Sequence, residues 1–105
     1  MTDTLKRITG PANIANGTST LFTGTAAHTY TIKSMEIVNN SAGAITIKLG
    51  IGGVADANLI LPTVSIDAGG KAEYDGLLVL TGTETIQAVA SATGMTFTAS
   101  GLDQS

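Results

Sequence analysis

The sequence predicts an all-β fold: an antiparallel β-sandwich or small barrel of about seven short strands, with an extended N-terminal arm. Three observations predict it. Thirteen glycines are spread through the 105 residues, and no window repeats apolar residues at helical spacing. Apolar and polar residues instead alternate along several short segments. Turn-forming residues separate these segments at near-regular intervals, which is typical of sandwiches and small barrels.

The clearest strand is predicted over 44–51, where Ile45, Ile47 and Leu49 face one side and the residues between them face the other. A second strand is predicted over 29–39, where the alternation restarts one residue out of phase. A slip of one residue turns every later side chain to the opposite face, so we expect a bulge near Lys33-Ser34. The remaining strands are predicted over 18–23, 58–66, 71–80 with a bend at Asp75-Gly76, 85–91 and 95–100.

Turn residues and one proline refine this arrangement. The stretch 39–43, Asn-Asn-Ser-Ala-Gly, favours left-handed backbone and side-chain turn bonds, and it predicts a hairpin turn. Pro62 cannot donate a backbone hydrogen bond, so the segment 58–66 is predicted to be an edge strand or a kinked strand. Ile86, Ala88 and Ala90 are expected on the inner face of one late strand, and Met95 begins an inward alternation in the last.

The first 17 residues are predicted to be an extended N-terminal arm, and residues 18–105 the β-sandwich domain. The arm is polar and has little periodicity, so it cannot bury enough apolar surface to order itself. It is either disordered or ordered by lying along a neighbouring subunit. We take Lys6, Arg7, Ile8 and Pro11 as its candidate interaction residues.

Composition excludes several classes of function. Only 12% of the residues are charged and the net charge is −3, which argues against a nucleic-acid partner. The absence of cysteine excludes disulfides and thiolate metal sites. No apolar run approaches the roughly 20 residues of a membrane span. The first ten residues lack the apolar stretch of a signal peptide, so synthesis in a cytoplasm is expected.

No catalytic, cofactor or metal site is predicted, so the chain is not expected to be an enzyme. His28 is the only histidine and is expected at the surface or at a loop edge before a strand. The glycine-rich run 50–53 is followed by no predicted helix, so it permits a loop or a close backbone approach rather than a phosphate site. Glu73 and Asp75 share a strand face, which favours a solvated face or an intersubunit salt link. No calcium-loop pattern contains the candidate oxygen ligands Asp56, Asp67, Glu73, Asp75, Glu84 and Asp103.

Two runs of the sequence resemble small β-sandwich virion proteins of tailed bacteriophages. The first, 30–49, has a Val-Asn-Asn turn followed by a strongly alternating strand, similar to the central hairpin of those proteins. The second, 66–91, has an Ala-Gly turn, a Leu-Val-Leu strand and a Glu-Thr-Ile-Gln-Ala strand. The resemblance covers residues 29–100 and rests on turns and strands, without a chemical signature.

The resemblance implies a non-enzymatic virion structural protein of the capsid decoration or cement type. It would stabilise junctions between capsid subunits, bind the major capsid protein or other virion subunits, and form a homo-oligomer, with a trimer favoured. Neither nucleic acid nor membrane is an expected partner, and the virion would assemble in the host bacterial cytoplasm. One alternative is a tail, neck or fibre component. Another is a carbohydrate-binding β-sandwich module, which needs exposed aromatic rings, and the chain offers Phe22, Tyr30, Tyr74 and Phe97.

Overall fold

The computed structural model of the chain describes residues 3–74 and 77–104. Within them it has two antiparallel sheets packed as a sandwich, and the sheets do not close into a barrel, so the predicted all-β sandwich is confirmed. A 3-10 turn lies at Asp56–Asn58. The described strands are β1 (Asp3–Ile14), β2 (Gly17–Thr23), β3 (Thr29–Asn39), β4 (Ile45–Ile51), β5 (Leu59–Ile66), β6 (Lys71–Tyr74), β7 (Leu78–Thr81), β8 (Thr85–Ala90) and β9 (Met95–Gln104).

Two differences account for the strands beyond the seven expected. The N-terminal segment, predicted to be an arm outside the sandwich, instead forms β1 and pairs with β9 from Asp3 to Ile14. The single strand predicted over 71–80 is divided into β6 and β7, which lie end to end along β3. The predicted bend at Asp75-Gly76 lies outside the described residues.

The chain crosses between the two sheets at most of its turns. The larger sheet has the order β1-β9-β3, with β6 and β7 both paired to β3, and the smaller sheet has the order β2-β8-β4-β5. Because β3 and β4 belong to opposite sheets, the turn at 39–43 joins the sheets and the prediction of a hairpin there is wrong. The same turn residues suit either kind of reversal, since they specify the local backbone and not the partner of each strand.

The core fills the space between the sheets and follows the predicted alternation. β4 contributes Ile45, Ile47 and Leu49, each at most 2% exposed, and the predicted inner residues of β8 and β9 are buried as well. The register between β3 and β9 shifts between Ile32 and Ser34, so the predicted bulge is confirmed. The bulge lets residues on both sides of it face the same core. The buried set also includes Ile14, Leu21, Tyr30, Ile32, Met35, Ile37, Ile66, Leu80, Ile86, Ala88, Ala90, Met95, Phe97 and Ala99.

Asn39 is a fully buried polar residue at the end of β3, and its amide holds three segments together. Its Nδ2 donates to the carbonyl oxygens of Gly43 at 2.9 Å and Ile66 at 2.8 Å. Its Oδ1 accepts from the backbone N–H of Ser41 at 2.9 Å and from the Ser41 hydroxyl at 2.7 Å. The amide is therefore satisfied on both sides, as a buried polar group must be.

All four edges of the two sheets are irregular. β1 shifts register against β9 twice between Arg7 and Ala12 and contains Pro11, and β2 shifts register against β8 between Thr20 and Phe22. At the third edge, β5 contains Pro62 and is bulged against β4. β6 and β7 share the fourth edge as two strands of four residues each. Such interruptions leave no long regular ladder exposed.

Candidate functional site

The four predicted arm residues are divided between the inside and the outside of the larger sheet. Ile8 packs against the core, and Lys6 forms an ion pair with Asp103 of the neighbouring strand β9. Arg7 and Pro11 are exposed on β1. Two of the four therefore stabilise the subunit, and the other two are available to a partner.

The main polar cluster of the described residues is built around Asp103 at one end of the sandwich. The Asp103 side chain is only 10% exposed, and both of its oxygens are engaged. Lys6 Nζ donates to Oδ2 at 2.9 Å, and His28 Nδ1 donates to Oδ1 at 2.7 Å. The cluster links β1, β9 and the loop before β3, and these bonds lower the pKa of Asp103, the bond from His28 contributing most and that from Lys6 next.

His28 lies at the end of a loop directly before β3, as predicted. Its ring stacks on Tyr30 with 5.8 Å between the ring centroids, and the Tyr30 hydroxyl accepts from the backbone N–H of Thr25 at 2.9 Å. The contact with Asp103 spans 75 positions of sequence, which no local pattern could indicate. His28 therefore anchors the β2–β3 loop to the end of the larger sheet.

Acidification is expected to weaken this cluster. Because folding holds the pKa of Asp103 below its ordinary value near 3.9, the stabilisation is present above about pH 4 and is lost as the pH falls through the lowered pKa. Urea unfolding from about pH 7 to about pH 2 should show a steeper loss of stability for the wild type than for Asp103→Asn. Asp67→Asn removes an exposed turn carboxylate and should follow the wild type. Parallel curves for the wild type and Asp103→Asn would contradict the expectation.

A second group of charges lies on the outer face of the larger sheet. Lys71 Nζ is 2.8 Å from Glu73 Oε1 and 3.7 Å from Glu36 Oε2, and the bond to Glu73 is the main cause that raises the pKa of Lys71. Glu73 was predicted to lie on a solvated face or in an intersubunit salt link; the salt link it makes here is within the chain. Asp75, predicted to share its strand face, lies outside the described residues. Exposed pairs of this kind contribute little stability.

The aromatic rings do not form a platform for a sugar. Tyr30 and Phe97 are buried in the core, and Phe22 is half-buried with its ring edge-on to Tyr30 at 5.0 Å. Tyr74 is half-buried beside a small apolar crevice between the sheets. In the described residues no aromatic ring is exposed, so the carbohydrate-binding alternative has no structural support.

Other candidate sites are also absent from the described parts of the chain. No group of three or more His, Asp or Glu side chains there could hold a metal ion. The crevice beside Tyr74 has a volume of about 10 Å³, which is room for about one water molecule. At Gly50 a Cβ would collide with the carbonyl oxygen of Gly53, so the close backbone approach predicted for this loop is confirmed. Residues 3–74 and 77–104 contain no helix long and apolar enough to cross a membrane.

The strand order defines the class of fold. If β6 and β7 are counted as one interrupted strand, eight strands form two four-stranded sheets, and nearly every connection crosses from one sheet to the other. This arrangement is a jelly roll, an architecture found in viral capsid proteins, lectin domains and cupins. The fold is therefore compatible with several functions.

Three solved structures share this fold over nearly the whole chain. A chain from Bacillus endospore appendages, described as disulfide-linked pili, aligns with a TM-score of 0.58 and 15% identity, covering 99% of this chain and 88% of that one. A chain of the T13 particle of infectious bursal disease virus aligns with a TM-score of 0.60 and 12% identity, covering 97% and 30%. The Gx strain of that virus gives a TM-score of 0.54 and 17% identity, covering 98% and 32%.

These similarities show the fold alone, since every identity is below 20%. The chain spans about a third of the length of the two viral chains. No protein-family model matches the sequence, and no curated protein matches it either.

Proposed function

We propose that the protein is a non-enzymatic structural subunit of a phage particle, and specifically a capsid decoration or cement protein. The observation that carries this proposal is a jelly roll that occupies the whole described chain. The alignment with a chain of a viral particle covers 97% of this chain and 30% of the viral one. The likeness of residues 29–100 to tailed-phage virion proteins supports the same class. The net charge of −3 agrees with a protein partner rather than a nucleic acid.

The proposed mechanism is mechanical. A rigid sandwich seated over a junction between capsid subunits buries part of both neighbours, and the added contact area resists pressure from the packaged DNA. The major capsid protein is then the main partner, and several copies of this chain act together. Among the predicted arm residues, Lys6, Arg7 and Pro11 are exposed, and since Lys6 is already paired with Asp103, Arg7 and Pro11 are the two that are free for a partner.

A second candidate function is a tail, neck or fibre component. It is favoured by the likeness to the endospore appendage chain, since the alignment covers 88% of that pilus subunit and so includes nearly all of it. A subunit of this kind would contact copies of itself along a filament instead of covering a junction in a shell.

Electron cryomicroscopy of undecorated capsids and of tails, each mixed with the purified protein, tests the proposal. Additional density over junctions between capsid subunits is expected. Density confined to the tail or portal would reject the decoration role and favour the second candidate. Absence of binding to both particles would reject both virion roles. A matched mixture with the heat-unfolded protein controls for nonspecific adsorption.

A further inference from the structure

Two of the three exposed large apolar side chains of the described residues, Leu5 and Val79, lie on the outer face of the larger sheet, on its two opposite edge strands. Leu5 is 72% exposed, Leu77 is 74% exposed and Val79 is 54% exposed. Leu5 pairs with Leu102 of β9, Leu102 pairs with Thr31 of β3, and Thr31 pairs with Val79 of β7. Paired residues of an antiparallel sheet point to the same side, so these four side chains form one row across the sheet. We call Leu5, Leu102, Thr31 and Val79 the apolar row. Leu77 lies two residues before Val79.

The centre of this outer face has few charges. The outward positions of the two central strands, β3 and β9, are mainly hydroxyl residues, among them Thr29, Thr31, Thr96, Thr98 and Ser100. The charged side chains there are Glu36 and, at the bulge, Lys33. Protein interfaces have the same anatomy, with charges depleted at the centre and retained at the rim. A clustered apolar row on such a face is a signature of an interaction surface.

The two rims of the face differ in their balance of charges. Arg7 of β1 pairs with Ser100, and within the described residues it has no ion-pair partner. Glu73 of β6 lies at the opposite rim and pairs with Glu36, which pairs with Thr98. Thr98 and Ser100 are successive outward positions of β9. The positions of Arg7 and Glu73 along the strand direction therefore differ by one outward residue. The β1 rim is therefore cationic. The opposite side of the face carries the carboxylates of Glu73 and Glu36 around Lys71 Nζ, 2.8 Å and 3.7 Å away, and so keeps one negative charge in excess at nearly the same height along the strands.

A two-fold axis parallel to the strands, between β9 and β3, makes this face complementary to itself. Such an axis places β1 of one copy against β6 and β7 of the other. Each row of paired residues across the sheet in one copy then lies opposite the same row in the other copy. Leu5 then faces Val79 of the second copy, so the two apolar rows cover each other. Arg7 approaches Glu73 of the second copy, one outward row away and within reach of the long arginine side chain. Two-fold symmetry repeats each contact, as in any isologous interface.

We propose that two copies of this chain pack face to face through the outer surfaces of their larger sheets. The size of the face is sufficient. Four strands spaced by about 4.8 Å, with about 3.3 Å per residue along the ten residues of β9, give a plane of roughly 600 Å². Stable interfaces bury about 800 Å² on each partner, and the accessible surface of a side-chain-covered face exceeds its plane. The small hydroxyl side chains let the two sheets approach to about 10 Å, the usual distance between packed sheets.

The first test compares two Val→Glu variants by analytical ultracentrifugation. Val79→Glu places an unpaired charge against Leu5 of the second copy, twice in each dimer, and should raise the dimer dissociation constant at least about 100-fold. Val89→Glu is the matched control. Val89 points outward on the smaller sheet, between Thr18 and Lys48, and its replacement should change the constant less than about threefold. Circular dichroism of each variant verifies that it is folded.

The second test reverses the charges at the rims. Arg7→Glu and Glu73→Arg should each weaken the homodimer, because each brings like charges together twice. Mixing the two variants should restore association, since both contacts in the mixed dimer then join opposite charges. Native mass spectrometry distinguishes the mixed dimer from the two homodimers by mass.

A wild-type protein that stays monomeric up to about 1 mM would overturn the proposal. It would also be overturned if Val79→Glu and Val89→Glu weakened association equally, or if the charge-reversed variants did not prefer each other. A trimer that is sensitive to Val89→Glu and insensitive to Val79→Glu would place the self-contact elsewhere. These measurements use the isolated protein, so their outcome does not depend on whether it binds capsids.

Discussion

Replacement of Asn39 by aspartate is expected to lower the free energy of unfolding by about 3 kcal/mol or more. The Nδ2 atom of Asn39 donates to the carbonyl oxygens of Gly43 and Ile66 in a fully buried site. A carboxylate oxygen in its place would face two acceptors without a proton to share. For a domain of this size the loss corresponds to a fall of about 15 °C in the thermal midpoint.

The neighbouring residue provides a matched control for this change. Asn40→Asp is the same chemical substitution at an exposed position, and it should alter the free energy of unfolding by less than about 0.5 kcal/mol. Urea unfolding of both variants at neutral pH measures the difference. Equal stabilities for the two variants would mean that the Asn39 amide does not hold the three segments together.

Deletion of residues 1–12 is expected to destabilise the domain by at least about 3 kcal/mol. β1 pairs with β9 along most of its length, so the deletion leaves the backbone groups on one side of β9 without their partners. It also removes Ile8 from the core and leaves Asp103 with His28 as its remaining hydrogen-bond partner in the cluster. A thermal midpoint lower by about 15 °C is the expected calorimetric result.

Arg7→Ala controls for the loss of a side chain while β1 remains in place. Since Arg7 is exposed, this variant should unfold within about 3 °C of the wild type when both are studied at low protein concentration. A truncated protein that unfolds at the wild-type temperature would show that β1 acts as a free arm. In that case the pairing with β9 would contribute nothing to stability.

The strands that the sequence indicated correctly are those with one buried face. In β4 and β9 the buried residues recur at every second position, as at Ile45 and Ile47 or Met95 and Phe97. Burial on one face requires this period, so the pattern is a direct record of the sandwich. The bulge at Lys33-Ser34 was visible for the same reason, because it interrupts the period.

β1 was not visible because little of it reaches the core. Ile8 and Ile14 are its inward apolar residues, six positions apart, and the stretch between them contains two register shifts. Gly10 has a φ of +90°, and a Cβ there would collide with the carbonyl oxygen of Phe97. Gly10, which in the sequence suggests an interruption of secondary structure, is therefore required for β1 to lie close to β9.

Contacts between distant segments were the other part that the sequence could not supply. The approach of Lys6 and His28 to Asp103 depends on the order of strands in the larger sheet, and so does the apolar row from Leu5 to Val79. Local patterns determine which residues face inward, but they do not determine which strands are neighbours. The mistaken hairpin at 39–43 has the same origin.

The interrupted edges of the two sheets have a consequence for how the protein behaves when it is crowded. Open edges with regular backbone ladders recruit further chains without limit and lead to amyloid-like fibres. Prolines at positions 11 and 62, the register shifts of β1, β2 and β5, and the division between β6 and β7 remove such templates. The described edges therefore offer no long regular ladder to which further copies could add as strands, so contacts between copies are left to the side-chain surfaces of the two sheets.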